Sequence, residues 1–426
     1  MILRSLVISA WISLLVFFSS DAQAGITILQ FSQLIDGTGI RLDANEIAVS
    51  DGEIVAVGKT LSGNYPEAQA IDLKTLIGLP GLIDVHTHIT YALPEPPKGD
   101  AWTELTNTPA AERVRRAEQN ARQTLESGVT SVRDLVSWEG TGYALRDQIE
   151  EGVVRGPRLF LSGAPVYSQT LDPVAESEEQ DIAAELAQMT RVRIAEGADW
   201  IKIFASTESM TDLTGKQVLF YPEIKAVVDI AHAEGVRVAL HTYGPGAVLD
   251  ALRAGVDSIE HPVGLEKKIL EVWSTTDTVY VPTIDHNRYY ADHRTEYGYD
   301  EDIERNLREF VRANVETVRR AHAAGIRIAM GSDAVMTMFG QNTRELEWFI
   351  RAGMSTAEAL NAAIANGAEL LGMETKLGRL APGFYADIIG VNANPLEDIK
   401  AIVNGVVWVM KDGRVVAGSH GQELRH

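Results

Sequence analysis

Apolar and polar positions change their period twice along the chain. Residues 26–31, 46–49, 54–57 and 70–73 alternate in short runs, and Asp51-Gly52 separates the middle two. Period-two alternation marks half-buried strands, and an Asp-Gly pair between two such runs predicts a tight hairpin. The same grammar returns near the other end, with 386–391, then 406–410 facing 414–417 across Asp412-Gly413. Segments 25–80 and 378–426 are therefore expected to build one small β-sandwich domain from both chain ends.

Residues 81–377 read differently. Eight short apolar runs, at 82–88, 129–135, 158–162, 200–205, 236–241, 258–261, 279–283 and 326–333, predict strands. Amphipathic stretches such as 110–126, 182–196, 222–234 and 304–324 lie between them. Gly128, Gly197, Gly235 and Gly325 follow such stretches, at the helix-ending position where glycine adopts a left-handed backbone cheaply. Eight strands alternating with helices predict an α/β fold with a parallel sheet, and eight is the number that closes a (β/α)8 TIM barrel. An open doubly wound sheet would call for a Gly-rich phosphate turn after the first strand, where His86-Thr87-His88 stands instead.

Residues 1–24 have the pattern of a signal peptide. Arg4 precedes an apolar stretch over 6–18, and Ala22-Gln23-Ala24 offers a cleavage site before Gly25. The expected product is exported, periplasmic or secreted, with no membrane span left after cleavage. With 38 Lys+Arg against 59 Asp+Glu, the 426-residue chain carries a net charge of −21, which argues against a nucleic-acid partner. It contains 0 Cys, so disulfides, thiolate metal ligands and a cysteine nucleophile are excluded.

The chemistry gathers at predicted strand ends. His86 and His88 are two apart on strand one and point to one face, where two imidazoles can grip a metal. Strand four holds Lys202 inside the apolar run Ile201-Lys202-Ile203-Phe204. A desolvated lysine loses its charge readily, and the neutral amine can take up CO2 to form a carbamate. Strand five ends at His241, strand six at Glu260-His261, and strand eight at Gly331-Ser332-Asp333. A barrel brings the carboxyl ends of its strands together on one face.

This constellation resembles the amidohydrolase superfamily in its binuclear form with a carboxylated lysine. The stretches that carry the resemblance begin with Gly81-Leu82-Ile83-Asp84-Val85-His86-Thr87-His88 and Asp199-Trp200-Ile201-Lys202-Ile203. They continue through Leu240-His241-Thr242-Tyr243, Ile259-Glu260-His261-Pro262 and Gly331-Ser332-Asp333-Ala334, and end with 378–388. The branch is the one of imidazolonepropionase-like and Xaa-Pro dipeptidase (prolidase)-like enzymes, with carboxypeptidase-like enzymes and ochratoxin-hydrolysing amidases. The resemblance implies two divalent ions, zinc by ligand type. His86, His88 and Asp333 would hold the more buried ion, His241 and His261 the more exposed one, and the Lys202 carbamate would bridge them. It also implies a bridging hydroxide as nucleophile, Asp333 as the group that moves the proton, and polarisation of the scissile carbonyl by the exposed ion. Tyr243 could donate to the developing oxyanion or simply be a rim aromatic. The expected partner is a small molecule, a dipeptide or an N-acyl amino acid.

Other residues carry less. His286 and Arg288 follow strand seven and could touch substrate. His232 and His322 are read as helix C-terminal residues, and Arg133-Asp134 as a rim ion pair outside the site. Specificity is expected from loops 89–108, 165–176, 206–221, 284–299 and 334–341. A lactone, ester or cyclic-amide hydrolase on the same site, and a non-catalytic exported binding protein, stay open as alternatives. So does the choice between a monomer and a homo-oligomer.

Overall fold

The two Asp-Gly pairs turn the chain as their chemistry requires. Asp51 and Gly52 have φ of 52° and 80°, and Asp412 and Gly413 have 48° and 72°. Positive φ at both central residues matches the right-handed twist of the strands they join. In the computed structural model, which describes residues 25–91, 107–167, 181–209 and 212–418, these hairpins belong to one sheet. Its strands are β1 (Thr27–Leu34), β2 (Glu46–Ser50), β3 (Glu53–Gly58) and β4 (Gln69–Pro80) from one end of the chain. The other end supplies β14 (Ile388–Val391), β15 (Val406–Lys411) and β16 (Arg414–Ala417). The order is β16-β15-β14-β4-β1-β2-β3, with only the β1–β4 pair parallel. Leu29, Phe31, Ile47, Leu73 and Trp408 bury their side chains in its core. The signal peptide read in residues 1–24 lies outside the described residues.

Strand β4 runs straight into the second unit. Gly81 donates to Asp387 O at 2.8 Å, and β5 (Leu82–Thr87) begins at the next residue. Then come β6 (Val129–Asp134), β7 (Arg158–Leu161), β8 (Trp200–Phe204), β11 (Arg237–His241), β12 (Ser258–Glu260) and β13 (Val279–Val281). They form two parallel sheets, β5-β6-β7 and β8-β11-β12-β13. Backbone bonds join these into a ring. Val166 N donates to Lys202 O at 2.8 Å and Asp199 N to Leu161 O at 2.8 Å, linking β7 to β8. The eighth member, around residues 326–333, bonds β13 through Tyr280 N to Arg327 O (2.9 Å) and β5 through Val85 N to Met330 O (2.9 Å). The fold is a TIM barrel with a smaller sheet unit.

The eighth member departs from expectation. It is no regular strand but an extended segment tied by the single bridges Tyr280↔Ile328 and Thr87↔Ala334. The expected helices are present, as Ala110–Glu126, Ile182–Ala195, Tyr221–Ala233 and Glu301–Ala323. The last begins earlier than predicted because the Asp300 side chain accepts from Asp302 N and Ile303 N, satisfying two free amides of its first turn. Gly128, Gly197, Gly235 and Gly325 have φ between 74° and 94°. The stretch expected as a loop after β8 contains a hairpin, β9 (Ser206–Ser209) with β10 (Asp212–Gln217). Its polar sequence has no hydrophobic alternation to announce it. Residues 92–106 and 168–176 of the expected specificity loops lie outside the described residues. Among the described residues no helix is long and apolar enough to cross a membrane.

Close approach at Gly331 lets the ring shut beside His86. A Cβ there would lie 2.4 Å from Val281 Cγ1 and 2.7 Å from His86 Cβ. Gly331→Ala should therefore lower stability by about 1–3 kcal/mol, the usual cost of overpacking. Denaturant unfolding of the metal-loaded protein measures this, and an unchanged midpoint would show that the eighth segment can retreat freely.

Candidate metal centre

Level registers bring the ends of the strands that carry the predicted ligands side by side. Ala239 pairs with Lys202 and with Ser258, and His241 with Phe204 and with Glu260, so the ends of β8, β11 and β12 stand side by side. On β5 the pairing slips: Asp84 faces Val132 and Thr87 faces Asp134, three steps against two. This bulge re-aims the strand end just where His86 and His88 leave it. His88 Nε2 is 3.0 Å and His86 Nε2 3.6 Å from Asp333 Oδ1. Ligand atoms of His86, His88 and Asp333 all lie within 4.8 Å of one another.

The remaining histidines complete a chain of rings. His261 has its centroid 4.8 Å from that of His86 and 4.5 Å from that of His241. Glu260 and His261 are neighbours, yet both reach the interior. A φ of 75° at His261 breaks the alternation that would send one of them outward. Thr283 and Asp333, at the ends of the seventh and eighth barrel members, also have positive φ, both 51°. Such conformations cost roughly 1–3 kcal/mol each for non-glycine residues and gather where a site demands them. Lys202 is 1% exposed, level with Ala239 and so two residues below His241, and its charge acts on His86, His88 and His261.

These donors suit a divalent metal. His86 Nδ1 is engaged by Glu260 Oε2 at 2.7 Å, while its buried Nε2 has no hydrogen-bond partner. Four-coordinate ligands on bonds of ~2.0–2.1 Å stand about 3.3 Å apart, and the observed 3.0 and 3.6 Å bracket that spacing. Burial, reinforced by Lys202, pulls His86 down to about 3. Burial likewise lowers His88 and, further, His261. Neutral imidazoles offer lone pairs. Burial would raise Asp333, but the surrounding histidines hold it well below the ordinary carboxylate range, so it is ionised.

The pattern of the amidohydrolase family matches residues 77–416. The chain belongs to this family. It is similar to ochratoxinase of Aspergillus niger, 28% identical over 438 aligned positions that span 95% of this chain and 89% of that one. Imidazolonepropionase of Kosmotoga olearia is 25% identical over 412 positions, 88% of this chain and 91% of that one. A solved Xaa-Pro dipeptidase with methionine bound in its active site matches with a TM-score of 0.80 at 28% identity, covering 92% of this chain and 100% of that one. This amidohydrolase is thus a hydrolytic enzyme for carbon–nitrogen bonds, with a His-His-Asp group that could hold a metal ion.

Other candidate residues of the amidohydrolase site divide. His286 joins it, with Nδ1 2.7 Å from Asp333 O and 3.4 Å from Asp333 Oδ2. Tyr243 is 4% exposed, its ring centroid 5.2 Å from His241 and 5.4 Å from His261. Arg288 is clamped elsewhere, donating to both oxygens of Asp285 (3.0 and 2.7 Å) and to Asp292 (2.9 Å). His232 and His322 sit near helix ends as expected, against Asp257 (2.9 Å) and Glu358 (3.0 Å).

Arg133 and Asp134 are not a rim ion pair. Adjacent strand residues point to opposite sides, so the two separate. Arg133 is fully buried, donates to Glu260 Oε1 at 2.9 Å and to Ser258 Oγ at 2.9 Å, and covers Trp200 at 4.3 Å. Burial would raise Glu260, but Arg133 and His86 bring it down to about 2. Glu260 therefore stays anionic and accepts a hydrogen bond from Nδ1–H of His86, which leaves the Nε2 lone pair available to a metal. Asp84 accepts from Ser332 N (2.9 Å), Ser332 Oγ (2.5 Å) and Asn342 Nδ2 (2.9 Å), fixing the segment that carries Asp333. Sequence reasoning left Asp84, Arg133 and Glu260 out of the site. Their signal, a charge inside an apolar strand, is the one that singled out Lys202.

Glu260→Gln removes the charge but keeps the shape. Metal affinity should fall about 10- to 100-fold, as read by competition with a chromophoric chelator, and an unchanged affinity would free His86 from this partner. Asp134 makes a different prediction. It accepts from Ile89 N at 2.7 Å, and burial pushes it up from 3.8 to about 8. Across that window the folded protein keeps a proton the unfolded chain has lost, so this residue makes stability decline as pH rises. Asp134→Asn should flatten the fall of the unfolding temperature between about pH 5 and pH 8. Parallel curves for variant and wild type would mean that Asp134 is ionised in the fold.

Proposed function

We propose that this enzyme cleaves the amide bond of a dipeptide or an N-acyl amino acid. The observation that carries the reading is the His86–His88–Asp333 cluster, with His86 and Asp333 buried and His88 partly exposed, continued through ring contacts into His261 and His241. His86, His88 and Asp333 would hold one divalent ion, His241 and His261 a second, and a carbamate on Lys202 would lie between them; the ligand types favour zinc. Bound there, the ions would supply hydroxide near neutral pH and a Lewis acid for the scissile carbonyl.

The side chains supply the rest. Ionised Asp333 accepts the proton of the attacking water and passes it to the leaving nitrogen. His286, on the backbone and side chain of Asp333, keeps that carboxylate in place. Tyr243, beside His241 and His261, donates to the oxyanion as it forms. The similarity to an ochratoxinase and to an Xaa-Pro dipeptidase supports an amide with an amino-acid leaving group. Export, read from residues 1–24, suits a scavenging hydrolase.

A metal count with a hydrolysis screen tests this reading. We expect up to two divalent ions per chain, loss of activity on chelation, and turnover of some members of a dipeptide and N-acyl amino-acid panel. Cleavage of lactones or esters with no amide hydrolysed would replace the amide reading. Asp333→Asn keeps one coordinating oxygen but accepts no proton, so metal content should fall modestly while kcat drops about 10²- to 10⁴-fold. Lys202→Ala should be inactive and partly rescued by a short carboxylic acid, and full activity without rescue would remove the carbamate from the mechanism.

A further inference from the structure

Thr283 ends the seventh barrel member and stands at the N-cap of the helix Ile284–Asp292. A threonine there ordinarily turns its hydroxyl to the free amides of the first turn. This one makes no such bond. Buried Glu345, at the start of the helix Glu345–Arg351, takes its place and accepts from Ile284 N at 2.8 Å and Asp285 N at 2.9 Å. With the helix capped from elsewhere, the Thr283 hydroxyl lies 2.6 Å from His261 Nδ1. Thr283 is 1% and His261 2% exposed, so no water competes for that contact. The backbone holds the hydroxyl there against its own preference. Thr283 has φ of 51°, and a β-branched residue in the left-handed region is a conformational outlier. The chain is clamped on both sides: Pro282 O accepts from Asn314 Nδ2 at 2.7 Å, and Glu345 holds the two amides that follow. Asn314 is fixed in turn by the Tyr280 hydroxyl, 3.0 Å from its Oδ1. A glycine would take this angle without strain, so the turn itself has no need of a hydroxyl.

His261 does need one. A neutral imidazole carries a single proton, and only its other nitrogen can ligate. An acceptor at Nδ1 keeps the proton there and leaves the Nε2 lone pair to a metal. For His86 that acceptor is the Glu260 carboxylate at 2.7 Å. Among the described residues the carboxylate beside His261 Nδ1 is that of Asp333, whose Oδ2 is 3.8 Å away and beyond hydrogen-bond reach. We infer that Thr283 is the positioning residue of His261: its hydroxyl accepts from Nδ1–H, selects that tautomer and so prepares Nε2 for the more exposed of the two proposed ions. This step rests on the two-ion assignment proposed above and not on the kind of bond cleaved. Glu345 makes it possible, because a helix capped by Glu345 does not draw on the Thr283 hydroxyl.

Withdrawal of zinc from the loaded enzyme by a chromophoric chelator, which reads each ion's affinity without any substrate, tests the inference. Thr283→Val keeps the branched shape but has no hydroxyl. One of the two affinities should fall about 10- to 100-fold, and the other should stay within about threefold. Thr283→Ser returns the hydroxyl and should bring the lost affinity back to within about threefold of the wild type. Thr283→Gly relieves the backbone and also lacks the hydroxyl; it should repeat the loss, and it covers the case in which Thr283→Val does not fold. Two ions whose affinities stay unchanged in Thr283→Val or Thr283→Gly, or a Thr283→Ser variant as impaired as Thr283→Val, would overturn the inference and leave the two-ion reading standing. A single ion whose affinity falls in Thr283→Val and returns in Thr283→Ser would sink the two-ion reading and keep Thr283 in its role. A single ion indifferent to Thr283, or no ion at all, would overturn both.

Discussion

The backbone bond from Asp333 N to His86 O, 2.7 Å long, closes the barrel at the point where its chemistry begins. Strand one carries the His-x-His pair and the eighth segment carries the carboxylate between them. The two are far apart in sequence and meet only because the ring shuts. Asp84 locks the same seam from its other side through Ser332 and Asn342, and Gly331 lets the backbones come close enough. Without this closure there is no three-ligand cluster, and His286 has no Asp333 to rest on.

Closure also buries charge, and the barrel interior is arranged around that cost. Arg133 and Glu260 are both 0% exposed. Removing either would strand the other in a medium where an unpaired charge costs several kcal/mol. Together they form a column: Trp200 under Arg133, Arg133 on Glu260, Glu260 on the Nδ1 of His86. Each partner restricts the next, so the orientation of the His86 imidazole is decided two residues below it. The positive φ of His261, Thr283 and Asp333 shows the same priority, since the backbone accepts strain where side chains must converge.

The sequence alone determined a good deal, for definite reasons. Alternation and the two Asp-Gly turns marked the end strands because a hairpin imposes period two and positive φ. The eight-fold count followed from apolar runs separated by amphipathic helices ending in glycine. His86, His88, Lys202, His241, His261 and Asp333 were legible because each sits at the end of such a run, or inside it, where water-facing chemistry has no ordinary place. The eighth strand was legible as extended chain, though its irregular pairing was not.

Tertiary structure decided the rest. Whether Arg133 meets Asp134 or Glu260 depends on which face each presents, and a pair of letters contains no faces. Glu260 and His261 break alternation through one backbone angle that no residue type at those positions requires. Arg288 turns to Asp285 and Asp292 because a helix puts residues three and four apart on one side, while His286 reaches the site from the same helix. A sequence states which groups are available and where a regular element should carry them. Which groups share a dry interior, and so act on one another strongly, depends on contacts between distant segments that only the closed barrel creates.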